Sequence, residues 1–441
     1  MLKIYDIETA LGTILERKPL NLMDFPPRLL AATEERFGKG VTPPQAVAEI
    51  LRSVREEGDR ALRRWTAALD GAEIDVFQIP VARLAEASKA LPVDLKEAMN
   101  TAVERIRAFH VQQPLPNWQS DALGGKLGQR VTPVESAGIY VPGGTAPLPS
   151  SLLMSVIPAQ VAGVEKIVVC TPPKPDASIL AAAHICGVET VYQIGGAQAI
   201  AAMAFGTQSV PKVDKIVGAG NLFVTLAKQQ VYGLVGVDGL AGPTETMIIA
   251  DHSANPNWVA ADLLAQAEHD VLASAILLTP FSILAQQVQA AAARQMENLS
   301  RAEVIIQSLT GSSGIVVTPD LEAAAALANQ YAPEHLCLSV SDPWSLAEKI
   351  KHAGGLFLGE RSFEVLGDYI AGPSHVMPTG GTARFASPLN VMDFVKITSL
   401  IALDNKTSMA LSSKAAALAR LEQLTAHAAA AQKRHNGEHD V

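Results

Sequence analysis

Cysteine is scarce in this 441-residue chain: there are three, Cys170, Cys186 and Cys337, with no CxxC pair among them. An odd, unpaired count excludes a disulfide framework and a thiolate metal site, and suits a reducing cytoplasm. Charge is also modest, at 18% of residues, and the formal net charge is -9. The clustered Lys and Arg that a nucleic-acid partner requires do not occur, so none is expected. No apolar stretch reaches the length of a membrane span. The first residues carry Lys3, Asp6 and Glu8, unlike a signal peptide. No low-complexity linker divides the chain. These absences predict a cytoplasmic protein without membrane or nucleic-acid contacts.

What the chain does have is apolar residues, 48% of the total, enough for a large core. The length predicts two or three domains at roughly 150 residues each. Residues 45–112 read mostly as helix, with charged faces such as Val54-Arg-Glu-Glu57. After Pro133, short β-branched runs alternate with Ala-rich helical stretches. The strands are expected at Gly138–Val141, Lys166–Cys170, Thr190–Ile194, Lys215–Val217, Thr246–Ala250, Ser274–Leu278 and Gly314–Val317. Fully apolar strands separated by helices imply parallel sheets covered on both faces, hence an α/β architecture with two sheet units. No sequence repeat relates the units. A loop rich in Gly, Pro and Ser is expected from Gly367 to Pro388, and a helical tail from Ser408 to Arg434. Leu411, Leu418, Leu421 and Leu424 form a stripe on that tail, which needs a surface in this subunit or another.

Three turns place glycine where strand becomes helix: Val141-Pro-Gly-Gly144, Ile194-Gly-Gly-Ala-Gln198 and Val217-Gly-Ala-Gly-Asn221. Glycine lets a ligand approach the backbone, and a helix N-terminus offers N–H groups to phosphate. Each alone is a tight βα turn of any α/β protein; three in one stretch fit a nucleotide equally well. The segment Asn255–Asp270 reads as a helix capped by Asn255, with Pro256 in its first turn. Its apolar stripe is Ala260, Leu263, Leu264, Ala267 and Val271, with Gln266 and His269 neighbouring each other away from it. They could share a metal or simply form a solvated face. Pro333 should end an Ala-rich helix, leaving Glu334 and His335 at a helix-to-strand junction, as an acid–base pair or a polar turn. Asp368, His375, Glu422 and His427 are by themselves ordinary polar residues. The last two lie about 140° apart on a continuous helix, and a break near Thr425 would be needed to bring them together.

Taken together, the runs Tyr140-Val-Pro-Gly-Gly-Thr-Ala-Pro-Leu-Pro-Ser-Ser, Gly195-Gly-Ala-Gln-Ala-Ile-Ala-Ala, Ala241-Gly-Pro-Thr-Glu, Asp262-Leu-Leu-Ala-Gln-Ala-Glu-His-Asp, Ala332-Pro-Glu-His-Leu, Gly367-Asp-Tyr, Ala383-Arg-Phe-Ala-Ser-Pro-Leu and Thr425-Ala-His have a specific order and spacing. The sequence resembles the histidinol dehydrogenase family over nearly its whole length, most closely from Gly138 to Arg434. The resemblance implies two Rossmann-like parallel-sheet units and a small helical C-terminal dimerisation tail. It divides the chain into a helical arm (1–25), a discontinuous α/β domain (26–137 and 244–388), a second α/β domain (138–243) and a tail reaching the partner subunit (389–441).

It implies one zinc per subunit on Gln266, His269, Asp368 and His427, the last from the neighbouring subunit of a homodimer. Glu334 and His335 become the acid–base pair. Thr244, His375 and Glu422 join both groups as contacts to the substrate, L-histidinol, while Tyr140, Gln198 and Asn221 contact NAD. Three residues depart from the family's habit: Ala219 where Pro is common, Ser374 where Asn is common and Thr244 where Ser is common. A sister zinc and NAD dehydrogenase for another amino alcohol or diol is one alternative, and a non-catalytic relative binding zinc or nucleotide is another.

Overall fold

The computed structural model describes residues 2–17, 25–143 and 147–435. Residues 18–24 of the expected arm, Gly144 of the first glycine turn and the adjoining Thr145 and Ala146 lie outside this set. The chain forms two compact units, one of residues 1–112 and 135–394, the other of 113–134 and 395–441.

In chain order the strands are β1 (Ile4–Tyr5), β2 (Trp118–Ser120), β3 (Lys126–Pro133), β4 (Ser136–Tyr140), β5 (Lys166–Thr171), β6 (Val191–Gln193), β7 (Lys215–Val217), β8 (Gly236–Val237), β9 (Glu245–Ala250), β10 (Ser274–Thr279), β11 (Gly314–Val317), β12 (His335–Ser339), β13 (Gly355–Leu358) and β14 (Val395–Ala402). The larger unit holds two all-parallel sheets, β6-β5-β4-β7-β8 and β1-β11-β10-β9-β12-β13. If β1 is set aside, both sheets run outward from their first strand, then cross to the other side for their last two strands. This is the doubly wound order, and its switch points fall beside β4 and β9. The expected α/β architecture with two parallel-sheet units is therefore present.

Burial explains why these segments are strands. All six residues of β9 and of β10 are buried, as helices on both faces require. Ala-rich helices such as Gly196–Phe205 bring their backbones close to the sheet; eight of its ten residues are buried. The helices Pro43–Glu57 and Asp59–Asp70 contribute Val47, Ile50, Val54 and Leu62 to the same apolar cluster as Ile200, Met203 and Ile216 of the five-stranded sheet region. The N-terminal arm opens with β1 before its short helix Ile7–Leu11. Among the described residues no helix is long and apolar enough to cross a membrane. All three cysteines are buried and unpaired.

The smaller unit differs from the all-helical expectation. β14 pairs antiparallel with β3, and β3 with β2. Its helices are Asn405–Leu421 and Thr425–His435. The chain does break between these two helices, just before Thr425, with Gln423 in the left-handed region at φ 60°. Leu411, Leu418, Leu421 and Leu424 are all exposed on this unit.

Candidate functional site

The helix Leu321–Tyr331 stops because Ala332 turns left-handed, its N–H still reaching Ala328 O at 2.7 Å, and Pro333 cannot continue it. Glu334 and His335 follow at the amino end of β12, in register with the start of β9. The site thus occupies the amino ends of strands at a switch point, the opposite end from the usual crevice.

Glu334 is 6% exposed, and its Oε2 accepts from Thr244 Oγ1 at 2.6 Å and from Glu245 N–H at 3.0 Å. Gln266, fully buried in the last turn of Pro256–Ala267, donates from Nε2 to Thr244 Oγ1 at 3.3 Å. Its Oε1 has no partner among the described residues. The solvated face foreseen for Gln266 is therefore wrong: its helix ends at Ala267 against β9 and β10, which tucks the last turn under Thr244. Val271, foreseen in the apolar stripe, is 39% exposed because the helix stops before it.

His335 Nδ1 faces Glu245 O at 3.2 Å. In the neutral ring this main-chain acceptor holds the proton on Nδ1 and leaves Nε2 as the basic nitrogen. Nε2 is buried without a hydrogen-bond partner among the described residues and lies 3.9 Å from Asp368 Oδ1. Two further carboxylates, Glu334 and Glu364, each lie 3.8 Å from Nδ1. Burial disfavours the imidazolium, but Glu364, Glu334 and Asp368 outweigh it and raise the His335 pKa to about 9. Burial carries the Glu334 carboxyl up to about 7 against the pull of His335, Thr244 and the Glu245 N–H.

Glu364 is a site residue absent from the sequence expectation. It is 3% exposed, accepts from Thr246 Oγ1, and lies one turn before Asp368 on the helix Glu364–Tyr369. Its signal was the Glu-x-x-x-Asp spacing, hidden by Gly367, which made the segment look like a loop from that point. Gly367 is required because any Cβ there would come 2.5 Å from the Phe357 ring. His335, Glu364 and Asp368 offer ligand atoms within 4.8 Å of one another, an oxygen and nitrogen set suited to a divalent ion. His269 stands two residues past its helix, where it is exposed. His375 Nδ1 is 2.7 Å from Asp368 O and its Nε2 3.2 Å from Ser151 Oγ. Ser374 is buried, with its hydroxyl donating to Met154 O at 3.1 Å. Glu422 and His427 belong to the smaller unit, where both are exposed.

The three glycine turns follow the carboxyl ends of β4, β6 and β7, around the other switch point. Tyr140 Oη accepts from Gly196 N–H at 3.0 Å. Gln198, fully buried, donates to Asp70 Oδ2 at 2.9 Å, while its Oε1 lacks a partner among the described residues. Asn221 caps the helix Leu222–Val231 by accepting from Val224 N–H at 3.2 Å. Gly218, at φ +112°, presses on Tyr140, whose carbonyl would lie 2.2 Å from any Cβ there. The buried Lys228–Asp238 pair fixes this turn: Lys228 donates to Gly218 O at 2.9 Å, and Gly218 N–H donates to Asp238 at 2.8 Å. Beside it opens a cavity of about 680 Å³, lined by Gly218, Ala219, Asp238, Met377, Thr379 and Phe385, but not by Glu334 or His335.

Comparison with known proteins agrees over nearly the whole chain. The family model described as histidinol dehydrogenase matches residues 39–435. A histidinol dehydrogenase of Thermus thermophilus is 53% identical over 387 residues, covering 88% of this chain and 93% of the relative. One from Deinococcus radiodurans is 50% identical over 415 residues, covering 93% and 94%. The crystal structure of histidinol dehydrogenase from Elizabethkingia anophelis superposes with a TM-score of 0.90 at 33% identity, covering 99% of this chain and 98% of that one. The chain belongs to the histidinol dehydrogenase family.

Proposed function

We propose that the protein oxidises L-histidinol to L-histidine, the last step of histidine biosynthesis, passing two hydrides to NAD through an aldehyde that stays bound. The observation that carries this reading is the buried His335 Nε2, free of hydrogen-bond partners among the described residues and 3.9 Å from Asp368 Oδ1. In the first half-reaction Nε2 takes the hydroxyl proton as hydride leaves. In the second, Glu334, fixed by Thr244 and the Glu245 N–H, orients and deprotonates the water that adds to the aldehyde. Burial of both groups keeps bulk water from the aldehyde.

Gln266, His269 and Asp368, with His427 of the partner subunit, would hold one zinc ion. The fit rests on the orphaned, buried Gln266 Oε1 and on Asp368, whose carboxylate already belongs to a cluster of oxygen and nitrogen atoms that could hold a metal ion. Bound there, zinc would bind the amino alcohol, polarise its hydroxyl and lower the His335 pKa through its charge. Thr244, His375 and Glu422 would contact the substrate, the carboxylate suiting a cationic amino alcohol. Tyr140, Gln198 and Asn221 would contact NAD on residues 138–243, leaving the metal and acid–base groups on 244–388. A homodimer is supported by the uncovered Leu411, Leu418, Leu421 and Leu424, a stripe that a second copy would bury. The test is stoichiometry: L-histidinol should yield two NADH per molecule, and a yield of one would reject the full reaction.

A further inference from the structure

Arg17 comes from the N-terminal arm, far in sequence from every group discussed so far. Its guanidinium forms a two-pronged ion pair with Glu245, Nη2 lying 2.7 Å from Oε2. Nε and Nη2 also donate to Tyr331 O at 3.0 and 2.9 Å, and the guanidinium carbon lies 3.5 Å from the centre of the Tyr331 ring. Glu245 is 5% exposed, and its Oε1 takes a further bond from Gly380 N–H at 3.1 Å. One cation thus ties together the start of β9, the end of the helix Leu321–Tyr331 and the loop at Gly380.

Both anchors bear directly on the acid–base pair. Glu245 gives its N–H to Glu334 and its carbonyl to His335 Nδ1. Tyr331 and Ala332 are the two residues leading into Pro333-Glu334-His335, and Ala332 holds a left-handed φ of 52° that suits glycine better than alanine. The surrounding contacts must hold that turn in place, and Arg17 grips the carbonyl just before it. A planar fork is needed to reach a carboxylate and a carbonyl at once; an ammonium could satisfy the charge but not both directions.

We propose that Arg17 is a positioning residue for Glu334 and His335: through Glu245 and the Tyr331 carbonyl it sets the backbone from which both side chains take their direction. The proposal rests on the reading of those two residues as acid and base. Arg17 itself touches neither group.

The test compares Arg17→Met, Arg17→Lys and His335→Asn, with kcat and KM measured for histidinol and for NAD, metal content and thermal unfolding. In Arg17→Met, kcat should fall about ten- to a hundred-fold, since sub-ångström misplacement of a reacting group carries penalties of that order. The KM for NAD and the metal content should stay as in the parent. Arg17→Lys should recover part of the loss, and added guanidinium ion should partly restore Arg17→Met. A folded Arg17→Met with a lowered Tm but kcat within two-fold of the parent would overturn the proposal, leaving Arg17 as structural glue. If Arg17→Met does not fold, Arg17→Lys decides: reduced kcat with unchanged KM for NAD supports positioning, and unchanged kcat rejects it. His335→Asn separates the two levels. Full activity in that variant removes the acid–base reading itself, whereas an inactive His335→Asn beside fully active Arg17 variants removes only the positioning role.

Discussion

Replacing Glu334 by glutamine removes a charge and keeps the shape. The carboxylate oxygen that accepts from Thr244 and from Glu245 N–H can become the amide oxygen, so both bonds at 2.6 and 3.0 Å survive. What disappears is the ability to take a proton. The folded protein should not suffer. Burial raises this carboxyl from 4.5 to about 7, so the native state binds its proton more tightly than the unfolded chain does, and stability falls as pH rises through that window. A neutral amide escapes that loss, and Glu334→Gln should be at least as stable as the parent above pH 7. The rate is another matter. A positioned general base contributes roughly 10²- to 10⁴-fold, about 3–5 kcal/mol of barrier. Only aldehyde oxidation consumes water, so the loss should fall on that step. Single-turnover NADH formation with histidinol and with supplied histidinal reads the two steps separately, with zinc content and unfolding measured on the same samples. If both steps slow equally while zinc is retained, the division of labour is wrong, and Glu334 instead orients the substrate.

Three further outcomes are expected. His269→Ala should lose zinc and keep its fold, and elemental analysis finding about one zinc per subunit would remove His269 from the ligand set. His427→Ala and Glu334→Ala should each be nearly inactive, yet regain activity when their subunits are exchanged, because one hybrid site then has every group; proven exchange without recovery would place His427 in its own subunit's site. Lys228→Met leaves Asp238 without its buried partner, which should cost about 3–5 kcal/mol in urea unfolding and raise the KM for NAD through the loosened Gly218 turn; an unchanged KM would detach that turn from cofactor binding.

The fold was legible where strands are apolar and buried. The seven runs expected from β-branched residues overlap β4, β5, β6, β7, β9, β10 and β11. The strands missed have physical reasons. β13, Gly355–Leu358, has no buried residue, so it lacks the fully apolar, buried character of the strands that were read. β3, Lys126–Pro133, is largely half-exposed, and its β14 partner lies far down the chain, so local pattern carries little of its pairing. The shared strand order of the two parallel sheets left no visible repeat, because topology constrains burial and turn geometry more than residue identity. At the site, Glu334 and His335 stood out by adjacency after a proline, and the glycine turns by their place between strand and helix. Glu364, Asp70 and Arg17 did not: each reads in isolation as a solvated charge, and only tertiary packing sets it against a buried partner, Thr246, Gln198 or Glu245.

The pairing of β3 with β14 also bears on how the chain is made. Residues 126–133 leave the ribosome long before residues 395–402 exist. Until then β3 has only β2 beside it, and an isolated two-stranded hairpin is marginal in water. Its other edge stays open throughout synthesis of both parallel sheets, a template for any passing strand. The larger unit can assemble during translation, whereas the smaller one must wait for the last stretch of the message, making its closure a late event in the life of each new molecule.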